Sequence, residues 1–264
     1  MKGVYALLVK LTLHSPISVF MPLVSLSAES FLLPPPTTLV GALAYPYFRK
    51  MGSQAVEQLI DGASPACTLL EPPRKVLYAA AAPASAYSKF MTVERVYQHV
   101  YLRKYYWADR EKAYTVAVRG CSLIDQLYVF YLVTDLALVE SAYGITRIGR
   151  KEGLASVEEV VLEEASKVIH DTSVCETRFY FPKSIADNYS RGTGVVVRMP
   201  RLVPENFRKN ISDPSRIPYE EYIVPSPFTL QPVSVILNDR GAVVAVDMLG
   251  ERLCIPVPRE VLES

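Results

Sequence analysis

The stretch from Phe31 to Lys50 reads FLLPPPTTLVGALAYPYFRK, and its reading decides the fold. Pro34, Pro35 and Pro36 fix φ and keep the residues before them out of the helical region, so the chain arrives extended. Thr37 or Thr38 then caps a helix start with a side-chain oxygen. Leu39, Val40 and Leu43 fall on one apolar face, and Tyr47 extends it by a turn. The spacing predicts a helix over Thr37 to Tyr45, with Pro46 kinking or ending it. Gly41 sits on the first turn, where a missing Cβ lets another backbone, or a phosphate, come close. A rigid stop before a capped start leaves N–H groups that suit an anion; it also makes an ordinary strand-to-helix connection.

Upstream, Val4 to Leu13 alternates as a strand buried on at least one face, rather than as a signal peptide. Downstream, Ser53 caps a second short helix through Ile60, closed by Gly62. Leu69 to Tyr78 is extended, because Pro72 and Pro73 prevent a helix. Ala79 to Ala86 has helix propensity, yet Pro83 and its flanks argue for strand or linker. Leu127 to Val133 is a buried strand. Asp135 caps a short helix to Ala142, with Gly144 as its stop. In Ser156 to Ala165 the β-branched residues favour a strand over the helix that the glutamates suggest. Strand, helix, strand, hairpin, strand, helix, strand describes an α+β chain on the ferredoxin-like (RRM-like) βαββαβ plan over residues 1–165. Residues 166–264 form a smaller β-rich, proline-punctuated region. There Val233 to Leu237 and Ala242 to Asp247 flank a turn, Asn238 to Gly241, with Gly241 in the left-handed position, and Glu251 to Val257 adds a strand.

Two basic segments carry the functional signal. Tyr87 to Arg119 reads as a long hairpin, with strands over Met91 to Lys104 and Ala113 to Arg119 and a turn over Trp107 to Lys112. Its cations include Arg95, Arg103, Lys104 and Arg110, interleaved with Tyr105 and Trp107 among other aromatics. Charges on such a hairpin discourage edge aggregation; beside flat rings they also suit single-stranded RNA. Ile145 to Gly153 places Arg147, Gly149, Arg150 and Lys151 in a glycine loop that can lay backbone N–H groups against phosphates, or be a solvated turn. His99, between Tyr97 and Tyr101, stacks on a base or donates to a phosphate more readily than it serves as a general base. His14 ends the first strand, and His170 has no dyad partner by sequence.

The rest of the composition sets limits. The chain has 264 residues, half of them hydrophobic, and a net charge of +1, so any nucleic-acid surface must come from local clustering. Its four cysteines form no CxxC pair, which argues against zinc or redox chemistry and predicts buried free thiols. No P-loop, GxGxxG, HExxH or GxSxG occurs, so no cofactor, no metal and no catalytic group are expected. Leu127 to Val133, the longest apolar run, is too short for a bilayer, and a cytoplasmic protein is expected. Abundant Pro and Tyr, with few Asn and Gln, lean toward a thermophilic source.

Pro35-Pro36-Thr37-Thr38-Leu39-Val40-Gly41, a basic aromatic insertion, and Arg147-Ile148-Gly149-Arg150-Lys151-Glu152 follow one another in order. Together they resemble the CRISPR-associated "Cas five" family of the RAMP superfamily, in its archaeal subtype I-A form, over about the first 165 residues. The resemblance implies an RNA-recognition-like fold with a thumb hairpin. It implies a Cascade subunit in antiviral defence that holds the 5′ handle of the guide RNA beside the backbone RAMP subunits and the large subunit. Under it Thr37, Thr38, Gly41, Arg95, His99, Arg103, Lys104, Tyr105, Trp107, Arg110, Arg147, Gly149, Arg150 and Lys151 are the RNA-binding candidates. One subtype of the family is an endoribonuclease, the alternative activity; a protein-interaction β-domain is a third reading. The glycine-rich loop of other RAMP branches is not evident. Residues from Lys167 onward match no motif.

Overall fold

A computed structural model describes residues 3–21, 27–52, 63–97, 114–150, 152–208, 216–229 and 231–263. In chain order the first elements are β1 (Tyr5–Leu13), β2 (Ser27–Ala28), α1 (Pro36–Met51), β3 (Val76–Pro83), β4 (Tyr87–Tyr97), β5 (Tyr114–Ile124), β6 (Gln126–Val133), α2 (Ala137–Ala142) and β7 (Ala155–Glu164). Then follow β8 (Ile169–His170), β9 (Val174–Thr177), β10 (Phe181–Pro182), β11 (Ala186–Tyr189), β12 (Gly194–Pro200), β13 (Tyr219–Pro225), β14 (Val233–Leu237), β15 (Gly241–Met248) and β16 (Glu251–Pro258). The second helix expected at Ser53 to Ile60 lies outside the described residues.

The organising sheet has the order β3-β6-β1-β7, with every neighbouring pair antiparallel. Its two faces are covered by different parts of the chain. On one face Leu7 lies opposite Tyr131, whose hydroxyl donates to Leu39 O of α1 at 2.9 Å. On the other, Leu8 lies opposite Phe130, which meets Phe179 edge-on. There the Tyr78 hydroxyl donates to Pro256 O at 3.2 Å. Burial pushes the Tyr78 and Tyr131 hydroxyls far up, so both act as fixed donors. Cover on both faces explains why β3 is buried end to end and why Ala6 to Val9 of β1 are inaccessible. It also decides Ala79 to Ala82. Helix propensity differs by tenths of a kcal/mol per residue, about 0–0.7 for ordinary residues, and burial between two layers beside β6 outweighs it.

The hydrophobic core runs on past residue 165: Phe179, Tyr180, Met199, Val244 and Ile255 belong to the same cluster as Leu7 and Phe130. A smaller cluster gathers Phe181, Ile223 and Val235.

Several expectations are corrected. α1 does not end at Tyr45 but continues through Pro46 to Met51. Buried Tyr47 anchors the later turns, and the Pro46 ring has space because Gly144 faces it: a Cβ on Gly144 would lie 2.7 Å from Pro46 Cβ. Neither Thr37 nor Thr38 caps α1; Pro35 is the cap residue and no side chain bonds there. Leu69 to Tyr78 is not extended throughout, since Pro65–Leu69 forms a 3-10 turn and the strand starts at Val76. Gly241 lacks a positive φ; it is kept small by Leu237 Cβ, 2.9 Å from where its own Cβ would stand. The strands around it do not pair with each other: β14 joins β9 and β11, whereas β15 joins β8 and β16. Cys175 and Cys254 are not free thiols but a disulfide between β9 and β16, while Cys67 and Cys121 are free and buried. β4 and β5 pair from Tyr87↔Ile124 to Tyr97↔Tyr114, so the hairpin's base reaches beyond Arg119.

Candidate nucleic-acid interface

α1 buries Pro36, Leu39, Val40, Ala42, Leu43, Ala44 and Tyr47 and leaves a narrower face outward. Thr38, Gly41, Tyr45, Arg49 and Gly52 recur at three- and four-residue steps, so they form one outward stripe. Opposite this stripe stands the loop between α2 and β7. The space between them is a groove of about 940 Å³ that also takes in Phe20, Phe48 and Ser64. The helix start and the glycine loop, which the sequence left unconnected, therefore meet: Thr38 and Gly41 on one wall, Arg147, Gly149 and Arg150 on the other.

The loop is held tightly. Ile148 N–H donates to Gly153 O at 2.8 Å, Gly153 N–H to Arg150 O at 2.9 Å, and Ala155 N–H to Thr146 O at 2.9 Å. These donors are satisfied internally and cannot reach a phosphate. Gly149 adopts φ +76°, and a Cβ there would also stand 2.9 Å from Val19 Cγ2. What the loop offers outward is its arginines. The Arg147 guanidinium lies 4.1 Å from the Tyr45 ring centroid, and that of Arg150 lies 3.7 Å from the Phe20 ring. Arg49 donates to the Tyr45 hydroxyl at 3.4 Å, so Tyr45 orients two cations. A stacked guanidinium is already ordered and loses less freedom on binding.

The charge distribution is one-sided. No Asp or Glu lines the groove among the described residues, although the chain carries 27 of them. A second cavity, of about 630 Å³ between β3 and the C-terminal strands, is lined by Arg74, Arg201, Arg240 and Arg259 but also by Glu220, Asp239, Glu260 and Glu263. Only the first presents a net positive field to an anionic chain.

The helix start itself contributes less than its sequence suggested. Pro35 and Pro36 have no N–H, and Thr38 N–H donates to Pro35 O at 2.9 Å. Two of the four donors that a helix start normally leaves over do not exist. Gly41 fits its expected part, since a Cβ there would meet nothing within 4 Å and the space beyond belongs to the groove. Arg95 lies on β4 opposite Val116. His99, Arg103, Lys104, Tyr105, Trp107, Arg110 and Lys151 lie outside the described residues. His14 Nε2 contacts Ser156 Oγ at 2.8 Å and His170 Nε2 contacts Arg252 at 2.9 Å, neither with a carboxylate in a dyad.

The hairpin's base and the groove share one segment. Ile17 and Ser122 exchange backbone hydrogen bonds at 2.9 and 2.8 Å, and Ser18 Oγ donates to Gly120 O at 2.9 Å. The next two residues, Val19 and Phe20, line the groove. Sequence reading missed Phe20, Tyr45, Phe48 and Arg49. For the last three the signal was present in the three- and four-residue spacing from Gly41; for Phe20 there was none. Among the described residues no cluster of His, Cys, Asp or Glu could hold a metal ion, and no helix is long and apolar enough to cross a membrane.

No family model matches the chain. It is 34% identical over 183 residues to the CRISPR system aCascade subunit Cas5 1 of Saccharolobus solfataricus, covering 66% of this chain and 71% of that protein. It is 32% identical over 183 residues to the CRISPR-associated protein Cas5 3 of the same organism, with the same coverage. In three dimensions it is similar to a crystal structure of a CRISPR protein from Archaeoglobus fulgidus, with a TM-score of 0.53 at 19% identity, covering 95% of this chain and 98% of that one. That likeness is one of fold.

Proposed function

Because the chain belongs to the Cas5 family of CRISPR-associated proteins, we propose that it is a non-catalytic RNA-binding subunit of a type I Cascade surveillance complex. In this reading it works in the cytoplasm, holds the 5′ handle of the guide RNA and caps the backbone subunits. A relative named as an aCascade subunit supports the assembly. The order β3-β6-β1-β7, with α1 after β1 and α2 after β6, supports reading the sheet as the ferredoxin-like plan.

One observation carries the RNA reading: a groove lined by Arg49, Arg147 and Arg150 and by no carboxylate among the described residues. Phosphates of a single strand meet the guanidinium edges. An unstacked base lies on the outer face of the Arg147 guanidinium, whose other face rests on Tyr45. Gly41 lets the backbone of the strand approach α1.

The experiment is binding of a repeat-derived handle RNA across a salt series, beside thermal melting. Arg147→Ala with Arg150→Ala is expected to cost on the order of 2–3 kcal/mol of RNA affinity with little change in melting, from charged hydrogen bonds of about 1.5–3 kcal/mol each with partial compensation. The loss is expected to exceed that of Arg103→Ala with Lys104→Ala in the hairpin. If the loop variant melts early yet binds normally once folded, the loop is structural and the reading fails. In the same series the wild-type protein is expected to leave precursor repeat RNA uncut without metal; cleavage lost in His99→Ala would establish the endoribonuclease instead.

A further inference from the structure

A second hollow, of about 550 Å³, opens at the start of α1, with Thr37 and Thr38 on one wall and Asn206, Phe207 and Arg208 on the other. Thr38 and Ser64 border both this hollow and the groove of Arg147 and Arg150, so the two spaces adjoin. We propose that the RNA track continues into this hollow and that Arg208 binds a phosphate of the same single strand. The inference rests on the RNA reading above. It gives the region after Lys167 a part in binding that no sequence motif assigned to it.

Four observations carry it. First, the hollow repeats the electrostatics of the groove: among the described residues its one charged lining residue is Arg208, and no carboxylate lines it. A mixed cavity such as the one between β3 and the C-terminal strands would repel part of any polyanion; here Glu71, the carboxylate paired with Arg208, is not among the lining residues. Second, Arg208 is positioned by backbone rather than by chance. It forms a bridge with Ala63, and Ser64 N–H donates to Phe207 O at 2.7 Å. Asn206 Nδ2 clamps the segment by donating to Arg201 O at 2.6 Å and to Pro218 O at 3.0 Å.

Third, Arg208 is available for exchange. Its resident partners are the Cys67 thiol and Glu71, the latter at 3.5 Å, and the Arg208 and Glu71 side chains are about half exposed, at 58% and 44%. An exposed pair of that length contributes little, about 0–1 kcal/mol, so a phosphate arriving in the hollow can take the guanidinium from it. Fourth, the opposite wall offers the hydroxyls of Thr37 and Thr38, which hydrogen-bond to a ribose or a phosphate without regard to sequence.

The test uses the full chain, repeat-derived handle RNA and a salt series. Arg208→Ala is expected to weaken binding about tenfold and to lower the salt slope by about 0.7, the share of one phosphate on a single strand. Glu71→Gln removes the competing carboxylate and keeps the cation; it is expected to bind as tightly as wild type or more so. Unchanged affinity and slope in Arg208→Ala would overturn the proposal. So would equal weakening by both variants, which would make the ion pair a structural link. Weaker assembly with other subunits at unchanged RNA affinity would assign the hollow to protein contact, and also overturns it. If Arg147→Ala with Arg150→Ala weakens binding while Arg208→Ala does not, this inference fails alone. If the wild-type chain does not bind the RNA, the underlying reading fails as well.

Discussion

Asp135 shows how one side chain ties three elements together. Its carboxylate accepts from Ala137 N–H at 2.9 Å at the start of α2, from the Tyr47 hydroxyl of α1 at 3.1 Å, and from Lys75 Nζ at 2.9 Å just before β3. Burial alone would raise its pKa, but the donation from Lys75, then from Ala137 N–H and Tyr47, outweighs it and holds the carboxyl below the usual range. Lys75 in turn is pushed up, by its donation to the Tyr47 hydroxyl and then by Asp135, so it stays charged throughout the acid range. A carboxylate with a lowered folded pKa contributes stability above its unfolded value of about 3.9, and that contribution is lost as pH falls through the folded value. Asp135→Asn should therefore melt earlier than wild type at pH 7, with the gap closing as pH falls below about 4. The side chains are part-exposed, so the gap should be at most about 1 kcal/mol. A gap that stays constant with pH would mean that shape, not charge, holds the site. The short helix was legible in the sequence with Asp135 as its cap; Leu136 takes the cap position, and Asp135 accepts from Ala137 N–H beside it. Its bonds to Tyr47 and Lys75, 88 and 60 residues away, were not legible.

At the scale of the element, the loop from Arg147 to Leu154 depends on its glycines for different reasons. Gly149 needs a positive φ, whereas a Cβ on Gly153 would stand 2.2 Å from Ile148 O, inside the loop's own hydrogen bonds. The loop also packs on Ile17 and Val19, which belong to the segment that holds the hairpin's base. Gly149→Ala should destabilise the fold by about 1–3 kcal/mol in denaturant unfolding, from the left-handed backbone and the contact with Val19. RNA affinity should fall with it, because the same displacement moves Arg147 and Arg150 off their rings. A Gly149→Ala protein as stable as wild type would show that the loop can relax without these constraints. The composition of this loop was readable as a phosphate-facing segment. That the Ile148, Gly153 and Ala155 amides are spent on the loop's own carbonyls was not.

Over the whole molecule, the region after residue 165 behaves as the second cover of the sheet. Phe179 meets Phe130 and Pro256 O accepts from Tyr78 on the face that α1 leaves open, and Arg208 comes forward to the start of α1. The Cys175–Cys254 bond closes a span of 79 residues within that cover. Constraining a loop of this length in the unfolded chain is worth about 2–4 kcal/mol. Cys254→Ser, or reduction of the wild type, should lower the melting temperature by several degrees. Handle-RNA affinity at 25 °C should be unchanged, since neither cysteine lines the groove or the adjoining hollow. Equal melting of reduced and oxidised protein would show that strand pairing alone secures this region.

The sequence by itself determined the local elements: period-two runs made β1, β6 and β7, and the three prolines fixed where α1 begins. These signals act over a few residues, through sterics and through the side on which each side chain falls. Tertiary structure alone decided the rest. Only a sheet covered on both faces makes Ala79 to Ala82 a strand. Only the packing of Gly144 against Pro46 lets α1 run on to Met51. Only the folded chain sets Arg147 over Tyr45, Arg150 over Phe20 and Arg208 beside Thr37. Such contacts join residues roughly 100 or more positions apart, and no local propensity carries information over that distance.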